Sequence, residues 1–535
     1  MYANSWNTIT DSGYGKSIDF DRDVDDWVDH TSDEQHVDEI LISNEVKDSK
    51  STVITDAKMA ELATWKDEDV YDEIIDEGQS CMSVRWVIGE KEGPDKTTVV
   101  KARLCACGFE EQQDFRTDSP TCKRESVRIV LSVIASNKWM LNSIDIKRAF
   151  LQGNAIDRVV FIRPPKEACT DKIWCLKKCV YGLADAPRKW YLTFSEKLLE
   201  LGCSVSKHDP GVFMFHHDGK LQGILACFVD DVVHGGTQFF MTSVIEKLHE
   251  HFKVGSSQEK TFSFLGISLH QNDDMSIVVD QNSFASTLVP IPVPMDRLGD
   301  KVQRINSVEE KQLRSLIGQL NWLAGISRPE ISFDVSVMTS KIRTATIDDL
   351  LYCNKVLKQV QSNPTYITFP GLMMESLSLV VHCDSSWNNL PNGGSQGAYV
   401  ALLKDDNNCI SPLEWSSTKI RRVARSTVTA ETLAMLDACD AAFFLSKIVL
   451  EIFDLSMIDI HAMTDNKSLF DNIHSSKVTT EKRLIVDLSA IREMASKKEI
   501  IAHKIDSHQN LSNVLTKKGA PWQVLTEPLQ RGKLA

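Results

Sequence analysis

The sequence predicts an α/β chain built from several folding units, and three observations lead to this prediction. The chain has 535 residues, enough for about three or four domains of ordinary size. Its composition, 42% apolar and 25% charged, is typical of globular proteins and excludes collagen, coiled coils and wholesale disorder. Strand-like and helical patterns alternate up to about residue 275 and again over residues 377–515, and residues 305–362 are mainly helical.

The first segment is acidic and lacks an apolar period. Residues 1–60 hold 14 acidic and 5 basic side chains, a net charge of −9 out of −14 for the whole chain. Such a segment buries too little apolar surface to fold alone, so we predict a disordered arm over residues 1–56. The remainder is nearly neutral, and its total charge therefore says little about partners.

No segment has the pattern of a membrane span or a secretory signal. The most apolar stretch, residues 433–453, is interrupted by four charged side chains, and the first six residues lack basic and apolar regions. The 13 cysteines are scattered without histidines at zinc spacing, as expected of free thiols in a reducing compartment. We therefore expect neither a membrane partner nor a cysteine metal site.

The first α/β unit is predicted to begin after Trp65. Its expected elements are strands at 83–88 and 97–104 around a turn at 92–95, a helix at 126–136 and a strand at 140–146. Three prolines between residues 290 and 294 predict a linker that leads into the helical stretch.

Two adjacent aspartates, Asp230 and Asp231, interrupt an apolar strand pattern at 221–233. Burying these charges is unfavourable without a cation. The alternative is a β-hairpin whose turn happens to contain them, since Asp is common in turns. Asp145 also ends an apolar strand. If the two strands are neighbours, three carboxylates meet at one edge and suit a pair of Mg²⁺ ions, as in phosphoryl transfer.

The second α/β unit contains three further carboxylates at element ends. Its pattern is a strand at 377–384, a Gly-rich turn at 392–397, a strand at 398–403, a helix that begins near Glu431 and a strand at 458–463. Asp384, Glu431 and Asp465 could converge on a metal. Taken singly, they could equally be a strand end, a helix-dipole partner and an N-cap.

Several motifs, in order, resemble the reverse transcriptase and ribonuclease H region of Pol polyproteins from copia-type long-terminal-repeat retrotransposons. In the first unit these are KARLCACGF (101–109), SIDIKRAFLQG (143–153), FIRPPKEA (161–168), CVYGLADAPRKWY (179–191), CFVDD (227–231) and FSFLGISL (262–269). In the second they are CDSSW (383–387), RSTVTAE (425–431) and TDN (464–466), and residues 316–329 resemble the helical connection between the two.

The resemblance implies a polymerase with fingers, palm and thumb around an antiparallel palm sheet, then a helical connection and a mixed-sheet ribonuclease H-like domain. The implied boundaries are an arm at 1–56, fingers and palm at 57–290, thumb and connection at 291–376, the nuclease-like domain at 377–520 and a tail at 521–535.

The resemblance also implies roles for individual residues of the first unit. Asp145, Asp230 and Asp231 would be catalytic and would hold metal ions. Lys101 and Arg103 would bind the incoming triphosphate, with plain solvated strand charges as the alternative. Phe150 would crowd a ribose 2′-hydroxyl, with a core Phe as the alternative. Tyr181 and Gly182 would also bind the substrate by approaching the nucleotide and template, with the glycine allowing close backbone contact.

In the second unit the resemblance implies that Asp384, Glu431 and Asp465 are catalytic metal ligands. A fourth carboxylate is usual in the family, but Asn513 stands at that position, and Asp487 or His508 could compensate. The chain also departs from many relatives at Cys107, where they carry a basic residue, and at Ala184 and Asp185, where they carry Lys-Gln.

The implied function is an RNA-directed DNA polymerase with ribonuclease H activity, using two Mg²⁺ or Mn²⁺ ions per active site. The expected partners are an RNA template, a DNA primer, the RNA–DNA hybrid, dNTPs, and the gag and integrase products that lead to DNA integration. The expected location is a cytoplasmic virus-like particle, or the nucleus. The alternative is a decayed or co-opted copy that binds nucleic acid without catalysis, suggested by Cys107, Asn513 and the acidic arm.

Overall fold

The computed structural model describes residues 44–92, 98–111, 116–390, 393–475 and 481–534. Within these ranges the chain forms sheets that are mostly antiparallel, surrounded by helices. The predicted mixed α/β class is therefore confirmed.

The first described element is a long helix, α1 (Asn44–Asp67), followed by strand β1 (Tyr71–Ile74). Residues 44–56 are therefore helical rather than part of a disordered arm, and the rest of the predicted arm lies outside the described residues. The helix is anchored by apolar side chains of its second half, since Leu62 and Trp65 are buried. Composition over residues 1–60 could not reveal this anchor, because most of it lies beyond that window.

The fingers contain a hairpin and a small sheet. Strands β2 (Val84–Glu92) and β3 (Thr98–Ala106) pair antiparallel, as the sequence predicted. The small sheet has the order β1-β6-β5, with β5 at Phe161–Ile162 and β6 at Ile173–Leu176.

The palm is a six-stranded antiparallel sheet with the order β11-β4-β10-β9-β8-β7. Side chains of alternate strand residues point to opposite faces, and a helix covers each face. One core contains Val130 of the first helix, the other Phe194 of the second. The elements are α2 (Arg124–Ser136), β4 (Asn142–Ile146), α3 (Ala186–Glu200), β7 (Cys203–Val205), β8 (Val212–His217), β9 (Lys220–Phe228), β10 (Asp231–Gly236) and β11 (Val254–Glu259).

A broken helix leads from β10 to β11. It consists of α4 (Gln238–Phe240), a π-helical turn (Met241–Ile245) and α5 (Glu246–His251). The chain then forms a four-stranded sheet from β12 (Thr261–Phe264), β13 (Ile267–Gln271), β14 (Ile277–Asp280) and, much later, β15 (Ile367–Phe369). A strand of the expected connection thus completes a sheet begun in the expected palm region.

The connection is mainly helical, as predicted for residues 305–362. Its helices are α6 (Asn282–Thr287), α7 (Ser307–Ile326), α8 (Ser332–Lys341) and α9 (Ile347–Ser362). The proline segment before α7 packs against these helices rather than acting as a free linker. Ile291 is buried, and its backbone N–H and carbonyl each form a 2.8 Å hydrogen bond with the side chain of Asn354.

The last unit is a five-stranded mixed sheet with the order β18-β17-β16-β19-β20. The first three strands are antiparallel neighbours, whereas β19 and β20 run parallel to β16. The strand at residue 398 starts earlier than predicted and replaces part of the expected turn. The elements are β16 (Ser378–Leu390), β17 (Gly394–Lys404), β18 (Ile410–Lys419), α10 (Thr427–Ile452), β19 (Asp459–Thr464), α11 (Lys467–Ile473), α12 (Leu484–Ser496) and β20 (Ile501–Lys504).

The expected tail is a packed helix, α13 (Gln523–Arg531). Leu525 and Leu529 of this helix are buried, and the carbonyl of Gln530 accepts a 2.7 Å hydrogen bond from the hydroxyl of Thr368. The spacing of these leucines is typical of an amphipathic helix, but the segment is so short that the pattern was not recognised in the sequence. No helix in the described ranges combines the length and apolarity needed to cross a bilayer.

The palm and the last unit share one continuous apolar core. Arg128 of α2 reaches across this junction: its guanidinium lies 3.7 Å from the ring centre of Trp415 and donates to the carbonyl of Leu413 at 3.0 Å. Three further hydrogen bonds fix the junction, from Arg128 to the Gly325 and Ile326 carbonyls and from Trp415 to the Ala324 carbonyl. The two carboxylate sites therefore sit on one packed framework.

Candidate functional site

The aspartates of the first unit meet at the end of the palm hairpin. Asp145 of β4 lies directly opposite Asp231 of β10, and the N–H of Ile146 donates to the carbonyl of Asp230 at 2.9 Å. Directly opposed residues of antiparallel strands project from the same face. The two strands are neighbours, which is the condition that the sequence analysis set for bringing these carboxylates together. The hairpin alternative also describes this backbone in part, since Asp230 lies in the β9–β10 turn and Asp231 is the first residue of β10.

The charges at this edge influence one another. Burial raises the pKa of Asp230, and the nearby Asp145 carboxylate raises it further, whereas Arg103 acts in the opposite direction. Asp145 rests over a residue without a side chain: a Cβ atom on Gly255 would lie 2.3 Å from its Oδ2. Gly255 belongs to a bulge in β11, where the pairing with β4 shifts register. The sequence did not indicate a role for Gly255, because no pattern in the neighbouring residues predicts that it lies against Asp145.

Three of the predicted substrate-binding residues form a stack beside the aspartates. The guanidinium of Arg103 lies 5.5 Å from the ring centre of Tyr181, whose ring meets that of Phe150 edge-on at 5.2 Å. Burial raises the pKa of Tyr181 to about 12, so its phenol is neutral at physiological pH. Phe150 is buried, in agreement with the core alternative for its packing. Lys101 lies two residues before Arg103 and is exposed.

The glycine requirement at Gly182 comes from the chain itself. Its φ is +92°, and a Cβ atom there would lie 2.0 Å from the carbonyl oxygen of Ala106. The N–H of Ala106 also donates to the carbonyl of Tyr181 at 2.8 Å. The close backbone approach that the sequence suggested therefore includes the finger strand β3, which holds Tyr181 against the palm.

In the last unit, three carboxylates from different elements converge. Each of Asp384, Glu431 and Asp465 offers an oxygen atom within 4.8 Å of the others, the one such group of three in the described part of the chain. Because β16 and β19 are parallel neighbours, Asp384 and Asp465 lie at the same end of the sheet. Helix α10 packs on β16 and brings in Glu431 from its second turn. Asp145, Asp230 and Asp231 are not gathered this closely.

This group has the chemistry of a divalent cation site. Asp384 and Glu431 are 2% and 3% exposed, and Oε2 of Glu431 is buried without a hydrogen-bond partner. Burial raises the pKa of Glu431 to about 8, and the neighbouring Asp384 and Asp465 add to the effect. A buried carboxylate oxygen aimed at two other carboxylates is unfavourable without a cation, and oxygen ligands suit Mg²⁺.

Comparison with known proteins identifies the first unit. Residues 69–291 match the family model described as reverse transcriptase (RNA-dependent DNA polymerase). This segment of the chain is therefore similar to reverse transcriptases.

The relatives of this chain are transposon polyproteins of the copia type. It is 24% identical over 82% of its length to the retrovirus-related Pol polyprotein from transposon RE1 of Arabidopsis thaliana, and 23% identical over 83% to that from transposon TNT 1-94 of Nicotiana tabacum. It spans only 31% and 35% of these two proteins. The resemblance to this region of Pol polyproteins is therefore established.

A solved structure has a similar fold. It is titled a foamy viral protease-reverse transcriptase in complex with double-stranded DNA, and it matches with a TM-score of 0.51 and 12% identity. The match covers 83% of this chain and 68% of that one. The similarity of fold therefore extends beyond the palm.

The structure shows the surroundings of Asp185 and Cys107, two of the residues at which the chain departs from the family pattern. Asp185 is buried and accepts two hydrogen bonds from Arg158, the shorter at 2.6 Å. Arg158 also binds Glu111 at 2.6 Å. Asp185 thus belongs to a buried ion-pair network at the start of α3. Cys107 is 8% exposed, so its side chain packs inside the protein rather than on an open surface.

At the fourth nuclease position, the structure brings Asn513 to the rim of the carboxylate group. Its Nδ2 donates to the carbonyl of Ser507, whose hydroxyl in turn binds Asp465. Asp487 is held by Arg422 at 2.8 Å, and His508 is exposed in the turn Ser507–Gln509. Neither Asp487 nor His508 belongs to the carboxylate group as it is described.

Two further residues touch this group and were missed by sequence reasoning. The hydroxyl of Thr516 donates to Oδ2 of Asp384, and the ammonium group of Lys517 lies 3.3 Å from the same oxygen. Both follow Asn513 within one short motif, so their nearness to the fourth position was the available signal.

Proposed function

We propose that this chain is an RNA-directed DNA polymerase with ribonuclease H activity, which copies RNA into DNA and degrades the RNA strand of the hybrid. The carrying observation is the pairing of Asp145 with Asp231, next to Asp230, inside the segment that is similar to reverse transcriptases. The converging carboxylates of the last unit support the nuclease half.

In the polymerase site, Asp145 and Asp230 are the ligands for divalent ions, with Asp231 beside them. Bound Mg²⁺ or Mn²⁺ supplies charge neutralisation at the phosphate and favours ionisation of the primer 3′-hydroxyl. Arg103 faces this edge and neutralises the triphosphate, a role for which its planar guanidinium is suited. Lys101 adds positive charge on the same strand.

Selection of the sugar is assigned to the aromatic stack. Phe150 is locked by Tyr181, so its ring cannot easily move away from a ribose 2′-hydroxyl. In the nuclease site, Asp384, Glu431 and Asp465 hold divalent ions beside the RNA strand. We assign two ions to each active site.

The proposed partners follow from this chemistry. They are an RNA template, a DNA primer, the resulting hybrid and dNTPs, and the solved structure with a similar fold is titled as a complex with double-stranded DNA. The relatives are Pol polyproteins about three times longer than the matched region. We therefore also propose cooperation with gag and integrase products in a cytoplasmic particle, or in the nucleus, before DNA integration.

Primer extension on an RNA template with Mg²⁺ tests the polymerase half. We expect wild-type protein to extend the primer, and Asp230→Asn to lose at least about a hundredfold in rate, because several kcal/mol of charge stabilisation goes with the ion. Extension no greater than that of the variant, over a range of metal and salt concentrations, would refute the polymerase assignment.

Cleavage of an RNA–DNA hybrid tests the nuclease half. We expect the RNA strand to be cut while duplex DNA stays intact, and Asp465→Asn to abolish cutting. Equal cleavage by wild type and variant would point to a contaminating nuclease.

The second candidate function is binding of nucleic acid without catalysis, as in a decayed or co-opted copy. The specific observation in its favour is the neutral Asn513 at the fourth nuclease position, next to Lys517. Tight, salt-dependent binding of the hybrid together with failure of both assays would select this alternative.

A further inference from the structure

A lysine occupies the open side of the nuclease carboxylate group. The Nζ atom of Lys517 lies 3.3 Å from Oδ2 of Asp384 and 2.7 Å from Oδ1 of Asn513. The Lys517 side chain is 47% exposed, whereas that of Asp384 is 3% exposed. The ammonium group thus reaches a buried carboxylate from the solvent side and links it to the fourth position.

The charges of the group favour a single divalent ion while Lys517 stays in place. Asp384, Glu431 and Asp465, if ionised, together with one ammonium group carry a net charge of −2, which one divalent ion balances. A second ion must then bind where Asn513 offers a neutral oxygen and Lys517 repels it. Charges at contact distance in a partly buried site interact strongly, so the ammonium group of Lys517 weakens the binding of a second ion.

We propose that Lys517 holds the place of the second divalent ion, so that the nuclease site binds one ion tightly and a second only after the ammonium group moves out. The inference rests on the proposed nuclease function and adds a control on it. The long, half-exposed lysine stem permits the movement, since the ammonium group gains hydration as it leaves. Hybrid cleavage then requires more Mg²⁺ than primer extension does.

The test counts Mn²⁺ ions bound to the full chain, using electron paramagnetic resonance of the free ion. The parent protein carries Asp145→Asn and Asp230→Asn, which weaken the polymerase site. Lys517→Met is compared with Lys518→Met in this background. Lys518 is a matched control: it is the adjacent exposed lysine, and its ammonium group lies 3.9 Å from the ring centre of Tyr352 rather than on the carboxylates.

We expect the parent and Lys518→Met to bind one ion tightly and a second at least about tenfold more weakly. In Lys517→Met the two affinities should approach each other. Equal affinity for the second ion in Lys517→Met and Lys518→Met would overturn the proposal, as would two tight ions in the parent. Lys517→Gln, which keeps a polar side chain, should behave like Lys517→Met, and it decides the matter where the methionine variant has lost its cooperative thermal melt.

Hybrid cleavage by wild-type protein is read separately. Suppose that the wild-type protein cuts no hybrid at any Mn²⁺ concentration, but Lys517→Met binds the second ion more tightly. This result would reject the nuclease function and support the proposal that Lys517 holds the place of the second ion. Hybrid cleavage by the wild type, together with unchanged affinity for the second ion in Lys517→Met, would support the nuclease function and reject the proposed role of Lys517.

Discussion

In the palm, Asp145, Asp230 and Asp231 are partly buried, and Arg103, whose charge acts on Asp230, lies on strand β3 of the finger hairpin. In the nuclease unit, Asp384 and Glu431 are buried, and Lys517 contacts one of them directly. Water reaches the palm carboxylates, whereas the buried group needs a counter-charge whenever its carboxyl groups are ionised. The comparison indicates that the degree of burial determines whether a group of carboxylates needs a cationic side chain in contact with it.

The largest expected effect is the separation of the two activities by single carboxylate changes. Asp145→Asn should reduce primer extension at least about a hundredfold and leave hybrid cleavage intact, and Glu431→Gln should do the opposite. Each variant is assayed for both reactions. A variant that impairs both would indicate that the shared core transmits damage between the sites, and the comparison of independent sites would fail.

A smaller effect is expected for a substitution that crowds the carboxylate of Asp145. Gly255→Ala would place a methyl group against Oδ2 of Asp145 and push this carboxylate out of position, so extension should fall about tenfold or more, because misplaced catalytic groups act poorly. Hybrid cleavage should not change. Gly89→Ala is the control, since Gly89 is an exposed strand glycine with nothing within 4 Å of its Cβ position. Equal loss in both variants would contradict the assignment.

The burial difference also predicts a pH dependence of stability. The pKa of Glu431 rises from 4.5 to about 8 in the folded protein, so its contribution favours the fold below pH 4.5 and is lost as the pH rises through 8. Metal-free protein should therefore melt a few degrees lower at pH 8.5 than at pH 5.5. Glu431→Gln should flatten this dependence, and millimolar Mg²⁺ should raise the melting temperature most at the higher pH.

Thermal melts with a chelator and with Mg²⁺ measure this effect. Asp230→Asn serves as the comparison, because the palm group is more exposed and its removal should alter the pH dependence less. A profile in which Glu431→Gln and Asp230→Asn behave alike would show that burial is not the distinguishing factor.

The smallest expected effect concerns the triphosphate. Arg103→Lys keeps the charge but loses the planar, two-pronged donor, and the KM for dNTP should rise about three- to tenfold with little change in kcat. Lys101→Met should have a weaker effect, since Arg103 is the residue that lies over the ring of Tyr181 and acts on Asp230. Steady-state extension at varied dNTP concentration distinguishes them, and a greater effect at Lys101 would reverse their assigned roles.

Motif spacing and period carried much of the fold and both carboxylate groups. The apolar runs that become β9 and β4 predicted strands, because such runs are typical of strands buried on both faces. The helical stretch at 305–362 was equally visible. Segments whose anchors lie elsewhere were not: residues 44–56 fold because Leu62 and Trp65 of the same helix are buried, and α13 because it docks on β15.

By itself, the sequence indicated which carboxylates to consider, through the ends of apolar strands and through the ordered motifs that resemble the retrotransposon family. Only the tertiary structure decided what surrounds them. Gly255 opposite Asp145, Arg158 on Asp185 and Lys517 on Asp384 join residues far apart in the chain. Pattern and propensity are local properties, whereas the counter-charges and free space of a site depend on which distant side chains pack against it.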